Sequence, residues 1–439
     1  MPHIITCFPH GTHGNLRGII ANQTVYINYC CTVTSKSFSM NLKAGLPYSL
    51  IKYGLPKDYP KLEQNIKTDV VVLGGGISGA LAAYHLVNAG VSCTLVDSRS
   101  IGLGSTCAST SLLQYEIDTP LRILSEHVGY KNAERAYKLC EEAIHILSDI
   151  STLIGFKDFM WKPSLLYAAR TSHAKNLESE FHFRKKAGFE VNLLSSSELK
   201  KEYGLTAPNG ILSACGAAAD AYLLTHYLLQ YSISKGLIVY DRTMVTSIAH
   251  HKLGIHLSTT NKSKISAKKM VFATGYETMD FLPSHIVNLK STYAVISESY
   301  SLPPLFGKHD VLLWNTNDPY QYMRTTADRR ILIGGRDENF YSPARRDKLI
   351  KTKAALLRKD FEKLFKSEAF IPEFSWTGTF GSTKDGLPYI GKYKKLPNTF
   401  FALGFGGNGI TFSVIAARII TDMIQEKKNT DSILYSFGR

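Results

Sequence analysis

A chain of 439 residues, 44% hydrophobic and 20% charged, has the composition of an ordinary globular protein and enough length for two packed cores. No apolar stretch approaches bilayer-spanning length, which excludes a spanning protein, and seven cysteines without C-x-x-C spacing argue against both a disulfide framework and a zinc site. The formal net charge of +15 suits nucleic acid, an anionic membrane surface or acidic substrates, yet the basic residues are dispersed.

The elements begin with an anomaly. Residues 1–39 lack the basic n-region and apolar core of a secretory signal, TVYINYCCTV is too short to span, and the composition is unlike the rest. Met40 followed by NLKAGLPYSLIKYGLPKDYPKL has the turn chemistry of a normal amino terminus. The expectation is an atypical tail over 1–39, either untranslated, with the start at Met40, or disordered.

The run TDVVVLGGGISGALAAYHLVNAGVSCTLVD is a strand, a glycine turn, a helix and a second strand ending in an acid. Gly74 permits the tight turn, Gly76 lets backbone approach a pyrophosphate, and Gly79 lets the helix pack on the strand. The first-turn amides around Ile77 and Ser78 face the phosphates with the helix dipole behind them. A glycine turn without a ligand is the competing reading, but Ala83, Leu86 and Gly90 continue the pattern at the helix-packing positions. Asp97 ends it where a carboxylate accepts hydrogen bonds from a ribose diol and repels a 2′-phosphate. Next, SRSIGLGSTCASTSLLQYEID crowds Gly102, Gly104, Ser105, Thr106, Ser109, Thr110 and Ser111 into a loop and helix start. Small side chains let a flat ring lie against backbone, and the hydroxyls can donate to phosphate or ring oxygens.

From 121 to about 202 the pattern is mostly helical, in RAYKLCEEAIHILSDI and HAKNLESEFHFRKKAG, around an apolar strand SLLYAA. The cluster Arg184, Lys185 and Lys186, like the pairs Arg345 and Arg346, and Lys427 and Lys428, reads as a solvated face, so no nucleic-acid partner is expected and membrane association is at most peripheral. ADAYLLTHYLLQYSISKGLIVYD is a helix closed by Gly236 and a strand, and MVTSIAHH and the alternating GIHLSTT follow. His250 and His251 have no second pair or carboxylate at ligand spacing, so no metal is expected. KKMVFATGYE is a strand ending on Thr274 and Gly275, where ligands bind in doubly wound sheets. LKSTYAVISES, VLLWNTN, YQYMRTTA and RRILIGGRDE read as antiparallel hairpins, residues 348–365 as a helix, and NTFFALGF as a strand. The last helix, ITFSVIAARIITDMI, is opened by Gly406, Gly407 and Gly409.

The ordered series of the Asp97-ended glycine turn, GSTCASTS, FATG, WTGTFGSTKDGLPYIG and GFGGNGIT resembles the FAD-dependent D-amino-acid oxidase (DAO) superfamily, from about Met40 to the carboxyl terminus. Among its branches the chain is most similar to the glycine/sarcosine oxidase and gamma-glutamylputrescine oxidoreductase type. The resemblance implies an α/β fold: a Rossmann-like FAD-binding domain from 40–130, 205–285 and 370–430, with an inserted α+β substrate domain built on an antiparallel sheet from 131–204 and 286–369. It implies FAD as cofactor, touching in addition Ser98, Val245, Asn408 and Ile410. The amino end of the helix after Gly409 would stabilise negative charge at the flavin N1/C2 carbonyl locus.

For the chemistry, amine oxidation by flavin removes a hydride from carbon while the nitrogen lone pair assists, so the site must position and desolvate. The resemblance makes Arg324 the candidate for binding a substrate carboxylate, with a surface ion pair as its other reading. Tyr322, Tyr320, Trp314 and Tyr293 are either aromatic walls over the flavin or core. Asp385 either shapes its loop or faces the ring, and Asn408 stands where several relatives carry histidine or methionine, which leaves the substrate open. GFGGNGIT lacks a cysteine and Cys107 has no evident activating base, so the FAD is expected to be non-covalent. The leading expectation is a cytoplasmic enzyme dehydrogenating the C–N bond of a small amine or amino acid, with oxygen or a quinone as electron acceptor. The alternatives are oxidation of a hydroxy acid or polyol phosphate on the same scaffold and, third, a flavin-bearing RNA-acting module.

Overall fold

The computed structural model describes residues 31–34, 40–282, 286–302, 305–366 and 369–439. The expected tail at 1–39 therefore lies outside the described residues except for Cys31–Thr34, a strand whose backbone pairs antiparallel with residues 247–250.

IKTDVVVL forms β1 (Ile66–Leu73), in which Val70, Val71 and Val72 are all buried, as a strand covered on both faces requires. It leads through α1 (Ile77–Asn88) to β2 (Cys93–Val96), parallel to β1. Further along, Asp220 caps α2 (Ala221–Ser234) by accepting from the Leu223 amide at 2.9 Å, and α2 feeds β3 (Ile238–Tyr240), parallel beside β2. β4 (Lys264–Phe272) flanks the other edge of β1, also in parallel.

The chain then builds a second sheet from β5 (Asn288–Ser297), β6 (Tyr322–Thr325) and β7 (Ile331–Glu338), passes through α3 (Ile350–Leu364), and adds β8 (Pro372–Ser382). It returns to the first sheet as β9 (Thr399–Leu403), parallel to β4, and ends in α4 (Gly409–Ile424). The parallel core is β9, β4, β1, β2 and β3, extended at β4 by the antiparallel strands Gly254–Thr259 and Val245–His251. This is the expected Rossmann-like arrangement with a second, α+β unit.

The second sheet runs Lys43–Gly45, β8, β5, β7, β6, Leu312–Asn315, Ser164–Tyr167, Asn209–Ser213, Val191–Ser195. It is antiparallel but for one parallel pairing, Leu312–Asn315 with Ser164–Tyr167. Three expected boundaries shift accordingly. Lys43–Gly45, Asn209–Ser213 and β8, assigned from the sequence to the first domain, are strands of the second sheet, because short strands do not encode which edge they join.

α1 and α4 pack together in one core that also holds the buried Ala80, Ala83, Ala416 and Ala417. A buried ion cluster fixes the crossover between the sheets. Arg184 donates to Glu180 at 2.8 Å and to Glu116 at 3.3 Å, and Glu180 also accepts the Leu121 and Arg122 amides. Among the described residues no helix is long and apolar enough to cross a membrane.

Candidate functional site

A cavity of about 350 Å³ opens at the carboxyl ends of β1, β2 and β4 and continues to the second sheet. At its phosphate end Gly74 has φ +106°, and a Cβ there would sit 2.3 Å from the Ala273 carbonyl, so the turn after β1 closes directly on the end of β4. Gly79 has the packing role expected of it: a Cβ would meet the Gly74 carbonyl at 1.8 Å, and the residue stands behind the cavity wall. Gly76, Ile77 and Ser78 line the wall. One expectation changes here, because the Ile77 amide already donates to Thr106 Oγ1 at 3.0 Å, so this first-turn donor is held by the loop. The hydroxyls of Ser78 and Ser413 meet at 2.7 Å and join the amino ends of α1 and α4.

From the loop, Gly104, Ser105, Thr106, Ser109 and Thr110 all line the cavity. Ser105 Oγ is buried there without a hydrogen-bond partner among the described residues, which leaves a donor free for a ligand oxygen. Asp97 closes the end of the cavity expected to take the ribose. Its Oδ2 accepts the Gly75 amide at 2.5 Å and its Oδ1 the Arg99 amide at 2.7 Å, while burial pushes its pKa up against those bonds. Two carboxylate oxygens have lone pairs to spare for a diol. Ser98, Val245, Thr274 and Gly275 complete this end. Arg99 and Glu277, an ion pair at 2.5 Å in the same wall, escaped the sequence reading because their partnership spans the whole first domain.

At the far end Gly406, Gly407, Asn408, Gly409 and Ile410 present the amino end of α4 to the cavity. The Asn408 side chain does not reach toward a ring, as its position had implied. Its amide nitrogen donates to the carbonyls of Glu116 at 2.7 Å and Gln114 at 3.2 Å. The Gly407 amide donates to Asp118 Oδ2 at 2.7 Å, and Tyr320 donates to Asp118 Oδ1 at 2.9 Å. Burial raises the Asp118 pKa, partly offset by those two donors.

The second sheet supplies the remaining wall. Of the four aromatic candidates, Tyr320 and Tyr322 line the cavity, and burial pushes the Tyr322 phenol up to about 12. Tyr293 is core, 1% exposed, and Trp314 donates to Ser164 Oγ at 3.0 Å, away from the wall. Arg324 requires a correction. It is neither a surface ion pair nor a cation facing the cavity: it is buried behind Thr110, donating to the Thr110 carbonyl at 2.6 Å and the Thr325 carbonyl at 3.2 Å. Burial lowers its pKa, although Asp220 and Asp158 lie near enough to oppose this. Asp385 shapes its loop, accepting the Leu387 amide at 3.1 Å and the Arg439 guanidinium at 2.7 Å.

One residue that sequence reasoning missed stands in this wall. Asp337, on β7, faces the cavity with Oδ1 buried and, among the described residues, unpartnered, and burial pushes its pKa up to about 6. No local pattern carried the signal: Ile331 and Ile333 share a core with α3, so strict alternation would turn residue 337 the same way, and a bulge at Gly335 (φ +132°) and Arg336 (φ +58°) breaks it.

Residues 69–423 match the family model described as FAD dependent oxidoreductase, DAO. The chain is 22% identical over 375 residues to the gamma-glutamylputrescine oxidoreductase of Escherichia coli (strain K12), covering 84% of this chain and 86% of that protein. It is 22% identical over 376 residues to the glycine oxidase of Geobacillus kaustophilus, 82% of this chain and 93% of the relative, and that enzyme's crystal structure superposes with a TM-score of 0.68. The L-proline dehydrogenase of P. horikoshii shares the fold at a TM-score of 0.71 and 18% identity, covering 85% of this chain and 97% of that one.

Proposed function

Because the chain belongs to the DAO family of FAD-dependent oxidoreductases, we propose that it dehydrogenates the C–N bond of a small amine or amino acid, with the scissile carbon held where the amino end of α4 meets the second sheet. The single observation that carries this reading is the continuity of one cavity from the glycine turn and Asp97, through the unpartnered Ser105 hydroxyl, to the wall of Tyr320, Tyr322 and Asp337. FAD, when bound, supplies the two-electron acceptor.

The chain's own residues do the rest. Asp97 and the loop from Gly104 to Thr110 hold the dinucleotide, and the first-turn amides of α4 direct partial positive charge at the ring end. Tyr320, Tyr322 and Phe380 exclude water from the substrate. FAD is held without a covalent bond: Cys107 is buried, its thiol pushed up to about 11, so it has no nucleophilic thiolate to offer. The free thiols of Cys93, Cys107, Cys140 and Cys215 suit a reducing, cytoplasmic setting. Oxygen or a quinone takes the electrons onward. The hydroxy-acid or polyol-phosphate alternative gains no support, since a purely anionic substrate, with no ammonium of its own, calls for a fixed cation, and Arg324 donates to backbone carbonyls.

Anaerobic addition of amines, amino acids and hydroxy acids to the FAD-loaded protein tests this reading. Bleaching of the flavin band by amines or amino acids, with an imine-derived carbonyl and ammonia or amine as products, is the expected result. Bleaching by hydroxy acids alone, or a protein that takes up no FAD, would overturn it.

A further inference from the structure

The substrate class can be narrowed from the charge of the cavity wall. Among the described residues that line it, four are charged: Asp97, Arg99, Glu277 and Asp337. The first three lie together at the ribose end, where the Arg99 guanidinium pairs with Glu277 and its amide bonds Asp97. Asp337 is therefore the one fixed charge in the wall beside the amino end of α4, and it is negative.

Its orientation follows from the strand. β7 turns Arg336 and Glu338 to α3, where Arg336 bonds Asp360 at 2.7 Å and Lys353 bonds Glu338 at 2.5 Å. A bulge at 335–338, with Gly335 at φ +132° and Arg336 at φ +58°, turns residue 337 the other way, and there it lines the cavity. Its neighbours there are the hydroxyl of Thr292 on β5 and the phenols of Tyr320 and Tyr322, with Asp118 adding a second negative field. Lys353 is engaged by Glu338, and Lys290, though it acts on Asp337 through space, stands outside the lining. Arg324, the cation that would have received a substrate carboxylate, donates instead to the Thr110 and Thr325 carbonyls. A buried carboxylate oxygen with no partner is stable only if something positive or hydrogen-bonding reaches it.

We propose that the substrate is a small amine without a carboxylate, its nitrogen held by Asp337 as the ammonium on arrival and as the free base once its proton has passed to that carboxylate, and its alkyl part enclosed by Tyr320, Tyr322 and Phe380. This rests on the C–N oxidation proposed above. A zwitterionic amino acid would bring its own carboxylate against Asp337 and Asp118 with no cation among the described lining residues beside them to balance it, so like-charge repulsion selects against it.

The test uses the FAD-loaded enzyme under anaerobic conditions with 1,4-diaminobutane and propylamine against glycine, sarcosine and both alanine enantiomers. Tetramethylammonium, which cannot be oxidised, serves as a binding probe through its perturbation of the flavin spectrum. Expected are kcat/KM values at least about tenfold higher for the amines, the size of one lost charged contact, and a saturable spectral shift with tetramethylammonium. Asp337→Asn should raise the amine KM by about 10- to 100-fold and abolish that shift, with flavin content unchanged, while Asp337→Glu restores part of both. Preference for an amino acid, or an Asn variant whose amine KM matches the parent's, would overturn the proposal and leave C–N oxidation standing. Bleaching by neither amines nor amino acids would instead remove the reading beneath it.

Discussion

The Asn408 side-chain amide donates to the Glu116 carbonyl at 2.7 Å, and this bond ties the start of the last helix to a segment whose own side chain is locked by Arg184. The amino end of α4 is thus positioned by the crossover between the two sheets. Asn408→Ala removes both donations to the Glu116 and Gln114 carbonyls, at a cost of roughly 1–3 kcal/mol. The expected outcome is a lower Tm together with weaker FAD affinity. A variant with unchanged Tm that loses only turnover would instead make Asn408 a group acting directly on the ring.

Arg324 lies behind the cavity wall, so its removal should behave as a folding lesion. Arg324→Met takes away the donors to the Thr110 and Thr325 carbonyls, again at roughly 1–3 kcal/mol of stability. Steady-state kinetics should then change by the same factor for a neutral amine and for a carboxylate-bearing one. A selective rise in KM for the carboxylate would return Arg324 to the substrate site.

These two residues also mark where sequence legibility ended. Backbone-driven features were readable: the apolar β1, the glycine turn and Asp97 form a local unit, and the steric demand at Gly74 and Gly79 is met by residues of that unit or by the end of β4. Orientation of single side chains was not. Asn408 could face a ring or a carbonyl, and only the distant Glu116 segment decides it. Asp337 was hidden for the converse reason: its importance depends on Arg336 and Glu338 being claimed by Asp360 and Lys353 on a helix whose packing no local pattern encodes. The sheet membership of Asn209–Ser213 fails in the same way, since its partners lie upstream at Ser164–Tyr167 and Val191–Ser195.

Amine recognition should weaken in acid. Burial holds the Asp337 carboxyl near about 6, against Thr292 and Lys290 on β5 and Lys353 on α3, which lower it, and with Asp118, which raises it. Above that pH the carboxylate is charged and holds a cation; below it the group is neutral, so the amine KM should climb as pH falls through 6. Stability has the opposite sign. A carboxyl whose folded-state pKa exceeds its unfolded value binds its proton more tightly in the native state, so its contribution falls as pH rises from about 4 to 6. Asp337→Asn should flatten both profiles, and an amine KM independent of pH in the parent would remove Asp337 from recognition.

Cys107 predicts how the flavin leaves. With its thiol pushed up to about 11 and its Sγ against the Gly104 carbonyl at 3.4 Å, it forms no thioether under physiological conditions. Acid precipitation of the holoenzyme should give a yellow supernatant and a colourless pellet. Flavin retained in the pellet, with its mass on a tryptic peptide, would show a covalent link.

Two glycines three residues apart should separate binding from folding. A Cβ at Gly76 would come 2.8 Å from Thr106 Oγ1, a side chain that can give way, whereas a Cβ at Gly79 would come 1.8 Å from the Gly74 carbonyl, which is backbone and cannot. Gly76→Val therefore narrows the approach to the first turn of α1 and displaces the hydroxyl that accepts the Ile77 amide, while β1 and α1 keep their packing. Its expected signature is a folded protein with a near-native apo Tm and little or no flavin per chain. Gly79→Ala forces the helix off the strand, a clash costing at least the 1–3 kcal/mol of ordinary overpacking, so its signature is a lowered apo Tm or insoluble protein. Flavin-to-protein ratio and apo Tm, measured on both variants, check the assignment. Normal flavin content in Gly76→Val would mean that the dinucleotide does not pass over this turn.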